Sequence, residues 1–358
     1  MGTRGPIFGW DIGGAHVKVA RLVGARIDFV AIIPCQLWRG PELLVEVLAG
    51  LCAELKDLRA PEALHAVTMT GELVDAFADR AAGVAEIAGT FAATVRPPRW
   101  RLYAARGAWF DGLPAGREAR LAIASANYSA TVRFAAAGLD AGLLVDLGST
   151  TTDVQGFAGA RAVEEAVDDF GRLATGELVY LGVVRTPVFH LAPEVSVRDR
   201  RRPLIPEYFA DLGDAMVIAG RLRPEAIAQP GLDGAGRDVE AARRRLARAL
   251  GTDADLIGAS ALDAVAGEVL GHLEQRLLKA IARRRDVLGL AASAPVVGAG
   301  IGRGVIAGIA ARGGWAYRDL ADLFAPHCPG PELAERAADA APAASLALLA
   351  GEPVSSGA

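Results

Sequence analysis

Cysteine is scarce in this chain. Three residues, Cys35, Cys52 and Cys328, are scattered over 358 positions. They are odd in number and form no CxxC pair or nearby Cys/His pattern, which excludes a disulfide framework and a cysteine-ligated structural zinc site. A reducing cytoplasm is the expected setting. An excess of positive charge is also lacking: the formal net charge is -4, so no global basic field exists to attract nucleic acid. The runs Arg243 to Arg245 and Arg283 to Arg285 fall in helix-like segments and read as solvated helix faces. Long apolar runs are missing too, which excludes a membrane-spanning helix. The start, MGTRGPIFGWDIGG, reaches an acidic turn before a signal-peptide apolar region can form. These absences predict a soluble, unprocessed protein with neither nucleic acid nor membrane as partner, and they leave its oligomeric state open, a homo-oligomer included. Its 52% hydrophobic residues are ample for the cores of two domains of ordinary size.

What is present is a repeated device. WDIGGAHVKVA begins at Trp10 and VDLGSTTTDVQ at Val145; aligned, Asp11 falls on Asp146, Gly13 on Gly148 and Val19 on Val154. Each copy places a carboxylate just before a glycine-containing turn, where backbone amides can approach an anion. One Asp-x-Gly is a common strand ending, whereas two in equivalent contexts predict a duplicated phosphate clamp that grips a polyphosphate between two halves. Gly13 and Gly14 form the first turn; Gly148, Ser149, Thr150 and Thr151 form the second, where hydroxyls add donors without charge. Lys18, on the returning strand, is a phosphate partner or a solvent-facing lysine. Asp11 and Asp146 facing one another would hold a divalent ion through its waters, because Mg²⁺ keeps several waters and takes few carboxylates.

Around these turns the periodicity predicts a hairpin over 7–23, an amphipathic helix over 41–58 and a short buried strand from Ala66 that ends at Thr70-Gly71. Glu72 and Asp75 follow that strand, either as acid/base candidates or as first-turn residues of the next helix. Asn127 faces a ligand or caps a turn. Arg185 precedes Pro187, where its fork suits a carboxylate or phosphate, or a structural ion pair. Residues 188–238 read as a polar, proline-broken insertion with a short helix over 208–218. Helices follow from Val239 to Gly251 and over 258–285. The glycines of GAGIG, Gly298, Gly300 and Gly302, form either a nucleotide-edge turn or a tight strand-to-helix packing turn. The predicted division is 1–135, 136–330 with the insertion, and a peripheral helix with a flexible tail over 331–358.

Two Asp-Gly hairpins with a late glycine-rich turn resemble the superfamily of actin-like ATPases and sugar kinases. That likeness implies an α/β fold of duplicated, ribonuclease H-like domains with a central cleft. Taken in order, GWDIGGAHVKVA, TMTGEL, SANY, VDLGSTTTDV and GELVYLGVVRTP resemble the hydantoinase/oxoprolinase-like proteins linked to tetrahydromethanopterin C1 transfer, the family that includes the methanofuran synthase of methanogens. The similarity runs over most of residues 7–310. It implies an enzyme that joins an aminomethylfuran carrying a methylene diphosphate to the phenol oxygen of tyramine or glutamyl-tyramine, here within methylofuran biosynthesis.

On that resemblance Asp11 and Asp146 serve hydrated Mg²⁺, the two turns bind diphosphate, Lys18 offsets its charge, Glu72 is the base, and Asn127 and Arg185 contact substrate. Where many relatives are expected to carry Asn-Thr, this chain has His16-Val17. GAGIG lacks an adenosine signature, which favours a diphosphate carried by the substrate over ATP. Two other readings stay open: an ATP-dependent small-molecule kinase or hydantoinase-like ring opener, and a non-catalytic nucleotide-binding regulator.

Overall fold

The structure, a computed structural model, describes residues 5–351. The chain forms two compact units. The first takes the chain up to Gly142, Gln155–Thr175 and the part from Asp319 on; the second takes Leu143–Val154 and Gly176–Arg318. A single cut at 135/136 is therefore not what the structure shows, because the chain changes unit after Gly142, Val154, Thr175 and Arg318.

In the first unit, β1 (Ile7–Ile12), β2 (His16–Val23), β3 (Arg26–Pro34), β4 (Leu64–Met69), β5 (Trp100–Tyr103) and β6 (Trp109–Asp111) form a sheet of order β3-β2-β1-β4-β5-β6. β1 pairs antiparallel with β2, as the hairpin pattern predicts, and parallel with β4. Every residue of β1 is buried, as a central strand covered on both faces requires. Within this core Trp10 Nε1 donates to His65 Nδ1 at 3.0 Å and His65 Nε2 lies 2.9 Å from the Leu58 carbonyl, so the imidazole is held neutral with its proton on Nε2. Burial pushes the His65 pKa down to about 4.

The second sheet uses β7 (Ala141–Leu147), β8 (Thr152–Ala158), β9 (Arg161–Val163) and β10 (Leu178–Val179); a separate hairpin is formed by β11 (Glu194–Val197) and β12 (Arg200–Pro203). With β13 (Val296–Ala299) and β14 (Tyr317–Asp319), the sheet order is β10-β8-β7-β13-β14, and β9 pairs with the Gly156–Ala158 end of β8. β13 runs parallel to β7 just as β4 runs parallel to β1. A hairpin flanked by a parallel strand thus occurs in each sheet. This is the duplicated ribonuclease H-like arrangement of the actin-like ATPase and sugar kinase folds. The helix Ala259–Val287 buries Leu262, Val265, Val269, Leu273, Leu277 and Ile281, at helical spacing, in the second unit's core.

Three expectations need correction. The helix expected at the periphery, Ala341–Gly351, is largely buried and packs on β1. A Cβ on Gly9 would collide with the Ala343 carbonyl and stand 2.6 Å from the Ala347 nitrogen. Small residues here allow backbone to approach backbone; the tail expected beyond Gly351 lies outside the described residues. Residues 188–238, expected as a polar insertion, contribute Val188, Val195, Leu204, Leu212, Met216 and Val217 to the core, and the short helix there is Leu212–Ile218. The arginine runs are not simply solvated faces either, since Arg245, Arg284 and Arg285 are buried.

Arg245 reaches Asp214 through Nε at 3.0 Å and Nη2 at 2.6 Å, and Asp233 through Nη1 at 3.0 Å. Arg237 adds bonds of 2.7 Å to Asp211 and 3.1 Å to Asp214. Five fixed N–H donors make a guanidinium tolerable in the interior when aspartates meet it. No helix among the described residues is long and apolar enough to cross a membrane.

Candidate active site

The two Asp-Gly turns share their internal geometry. Gly13 N donates to the His16 carbonyl at 2.8 Å, and Gly148 N donates to the Thr151 carbonyl, the aligned position, at 2.9 Å. In each copy the next peptide is tied to a later loop. Leu37 N donates to the Gly14 carbonyl at 2.9 Å; Val184 N and Arg185 N donate to the Ser149 carbonyl at 2.8 and 3.0 Å. In a planar trans peptide, N–H and C=O point in opposite directions. The amides of Ala15 and Thr150 consequently face away from those loops, the orientation an anion clamp needs.

In the first unit Asp11 is buried, and its Oδ2 lies 3.6 Å from Nζ of its cross-strand partner Lys18. In the second unit the position aligned with Lys18 is Asp153, a carboxylate that the sequence reading did not single out. Asp146 lies against the glycine turn: a Cβ on Gly300, whose φ is +74°, would collide with Asp146 Oδ1 and stand 2.6 Å from the Leu147 carbonyl. Gly302 N donates to that carbonyl at 3.0 Å. The second unit therefore brings together Asp146, Gly148 to Thr151, Gly300, Gly302 and, through its backbone, Arg185. The Arg185 side chain is exposed. Gly298 is packed against Tyr317 and serves the sheet.

Glu72 sits in the short 3₁₀ turn Gly71–Leu73 and is buried; the next helix begins only at Arg80, capped by Asp79, so neither Glu72 nor the exposed Asp75 is a first-turn residue. Ser125 Oγ donates to Glu72 Oε1 at 2.7 Å, and Arg80 Nη2 is 3.8 Å from the same oxygen. Oε2 is buried and makes no hydrogen bond. Burial dominates and raises the Glu72 pKa to about 7, against the lowering effects of Ser125 and Arg80. Such a value suits general acid/base work near neutrality. Asn127 is the first residue of the helix Asn127–Gly138, whose N-cap position is Ala126, and its Oδ1 accepts from the adjacent Tyr128 N at 2.8 Å. Ser125, with φ +53°, Arg80 and Asp169 are site residues the sequence did not reveal.

Asp11 in the first unit and Asp146 in the second each offer carboxylate oxygen, the donor type a hard divalent ion takes, and the Gly300 turn leaves Asp146 the space a side chain would fill; among the described residues no group of three or more His, Cys, Asp or Glu could hold a metal ion.

The hydantoinase/oxoprolinase family model (Hydantoinase_A) matches residues 64–318. The chain belongs to this family. Among curated family relatives, a protein of Methanocaldococcus jannaschii is 30% identical over 252 residues, 70% of this chain and 73% of its own length. A protein of Methanococcus vannielii is 28% identical over 148 residues, 41% of this chain and 66% of its own length. Both are named (4-{4-[2-(gamma-L-glutamylamino)ethyl]phenoxymethyl}furan-2-yl)methanamine synthase. Among solved structures, nucleotide-free acetone carboxylase aligns with TM-score 0.52 at 9% identity, over 85% of this chain and 67% of that one, a likeness of fold alone.

Proposed function

We propose that this family member is a transferase of methanofuran-type cofactor biosynthesis. It would condense an aminomethylfuran methyl diphosphate with the phenol oxygen of tyramine or glutamyl-tyramine and release pyrophosphate. The observation that carries this reading is the 30% identity to a relative whose name describes a phenoxymethylfuran amine. In such a product the aryl oxygen is joined to a methylene on an electron-rich furan, a carbon that sheds an anionic leaving group readily.

The residues suit that chemistry. As the bond from methylene to diphosphate oxygen breaks, its electron pair leaves with pyrophosphate, and amides of the Gly13-Gly14 and Gly148 to Thr151 turns meet the growing charge. Each well-aimed donor lowers the barrier by about 3 kcal/mol. Lys18 adds a positive charge to the first turn. Asp11 and Asp146 are the carboxylates proposed to hold magnesium, which when bound would offset phosphate charge. The phenol oxygen forms the new bond to the methylene, and its proton goes to Glu72. Arg185 and Asn127 are the proposed acceptor contacts.

Purified protein with Mg²⁺, the furan diphosphate and either phenol should release pyrophosphate only when the phenol is present, and Asp11→Asn or Asp146→Asn should lower that rate at least tenfold. ADP formation from ATP under the same conditions, with no phenol-dependent pyrophosphate, would replace this reading with a kinase or ring-opening reaction. Nucleotide binding without turnover would make the chain a regulator.

A further inference from the structure

Ser125 carries three observations that a helix-start serine does not explain. It is buried, it holds a left-handed backbone at φ +53°, and its hydroxyl lies between two carboxylates, 2.7 Å from Glu72 Oε1 and 3.3 Å from Asp169 Oδ2. All three residues belong to the first unit. The two carboxylates differ in access to water: the Glu72 side chain is fully buried, whereas that of Asp169 is 20% exposed. Glu72 is also fixed in place. A Cβ on Gly83, in the helix Arg80–Val95, would come within 2.9 Å of the Glu72 Cα, so the helix is pressed against its backbone.

We propose that Ser125 relays a proton between Glu72 and Asp169, so that a buried acid/base group exchanges with solvent through a neighbour at the surface. In this step the Glu72 carboxylic acid donates from Oε1 to Ser125 Oγ while the serine hydroxyl proton passes to Asp169 Oδ2. Glu72 ends as a carboxylate, Asp169 as an acid and the serine unchanged; Asp169 then yields its proton to water. A proton first taken up on Oε2 reaches Oε1 by a half-turn of the carboxyl group.

The charged groups that face the relay set its direction. Arg80, on the helix Arg80–Val95, favours the ionised form of Glu72, and the Asp169 charge opposes it. Arg172, one turn along the helix Asp169–Thr175, lies 3.5 Å from Asp169 and stacks over the Tyr128 ring at 3.5 Å, so a positive charge is held in place beside the Asp169 end of the relay. Ser125 and Asp169 act through Glu72 and are positioning residues. That the proton originates on a phenol rests on the function proposed above; the relay itself does not.

The test reads the proton directly. Protein labelled with ¹³C at the glutamate side-chain carboxyl, with the Glu72 resonance assigned through Glu72→Gln, is titrated by NMR from acid to alkaline pH. The wild type should show one exchange-averaged line with a midpoint near neutrality. Ser125→Gly suits the left-handed backbone and keeps the fold while it removes the hydroxyl. It should raise the midpoint by roughly one unit, since a hydrogen bond to the charged form is lost. It should also split or broaden the line, because a buried carboxyl cut off from solvent exchanges slowly. Asp169→Asn should lower the midpoint and broaden the line likewise. A line that stays averaged in Ser125→Gly, or a midpoint unmoved in Asp169→Asn, overturns the relay. Relay behaviour without ether formation would remove the proposed function and leave the relay standing.

Discussion

Gly300→Ala tests whether the late glycine turn is built around Asp146. At φ +74° an alanine pays about 1–2 kcal/mol for its left-handed backbone. The added methyl also collides with Asp146 Oδ1 and stands 2.6 Å from the Leu147 carbonyl, so turn and carboxylate must separate at an overpacking cost of about 1–3 kcal/mol. The sum is about 2–5 kcal/mol, which for a unit of this size lowers the melting temperature by at least about 4 °C. Gly304→Ala is the internal control. That glycine lies in the helix Arg303–Arg312 with nothing within 4 Å of its would-be Cβ, so alanine there should be neutral or stabilise by up to about 1 kcal/mol. Differential scanning calorimetry of both variants gives the melting temperatures, and titration calorimetry with Mg²⁺ and pyrophosphate reports whether the moved carboxylate weakens binding. Equal melting temperatures for the two variants, with wild-type pyrophosphate affinity in Gly300→Ala, would refute the reasoning.

Three further outcomes follow from buried charge. The folded-state pKa of His65 is pushed down to about 4 from an ordinary 6.5. Its contribution is therefore complete above pH 6.5 and is lost as the pH falls through 4, a loss of about 3 kcal/mol; urea midpoints measured from pH 7 to 4 should show this slope, and His65→Gln should flatten it. Glu72 has the opposite sign, since its folded value is raised to about 7 from 4.5. Stability tied to it is complete below pH 4.5 and declines by about 3 kcal/mol as the pH rises through 7, so Glu72→Gln should be more stable than wild type at pH 8, less active, and equal to it in stability at acid pH. Arg245→Met removes two of the buried charge-assisted bonds to Asp214, which keeps Arg237, and the buried partner of Asp233, and should cost about 3–5 kcal/mol in guanidinium denaturation; a loss under 1 kcal/mol would show that the network is not holding residues 211–245.

The parts of this structure that were legible in the sequence are those in which one local rule decides the outcome. Asp-x-Gly at Asp11 and Asp146 marked both hairpin turns, and the long helix expected over 258–285 is Ala259–Val287. Less legible were features set by a distant partner. Ala341–Gly351 reads as part of an alanine-rich peripheral helix until Gly9 supplies a flat surface for close approach. Arg245 reads as one of a solvated run until Asp214 and Asp233 come to meet it. At the candidate site Glu72 was visible as a carboxylate after a buried strand. Its burial and its hydroxyl partner were not, because Ser125 lies 53 positions away and its left-handed backbone has no glycine to announce it.

The helix Ala341–Gly351 has a consequence for how the polypeptide is made. The strand β1 is covered by a segment translated more than 300 residues after it. During translation the sheet of the first unit must therefore wait, with one side uncovered, while the second unit, Leu143–Val154 and Gly176–Arg318, emerges and can complete its own interior. The sheet of the first unit thus closes in reverse order, its central strand sealed by the most distant segment that packs on it.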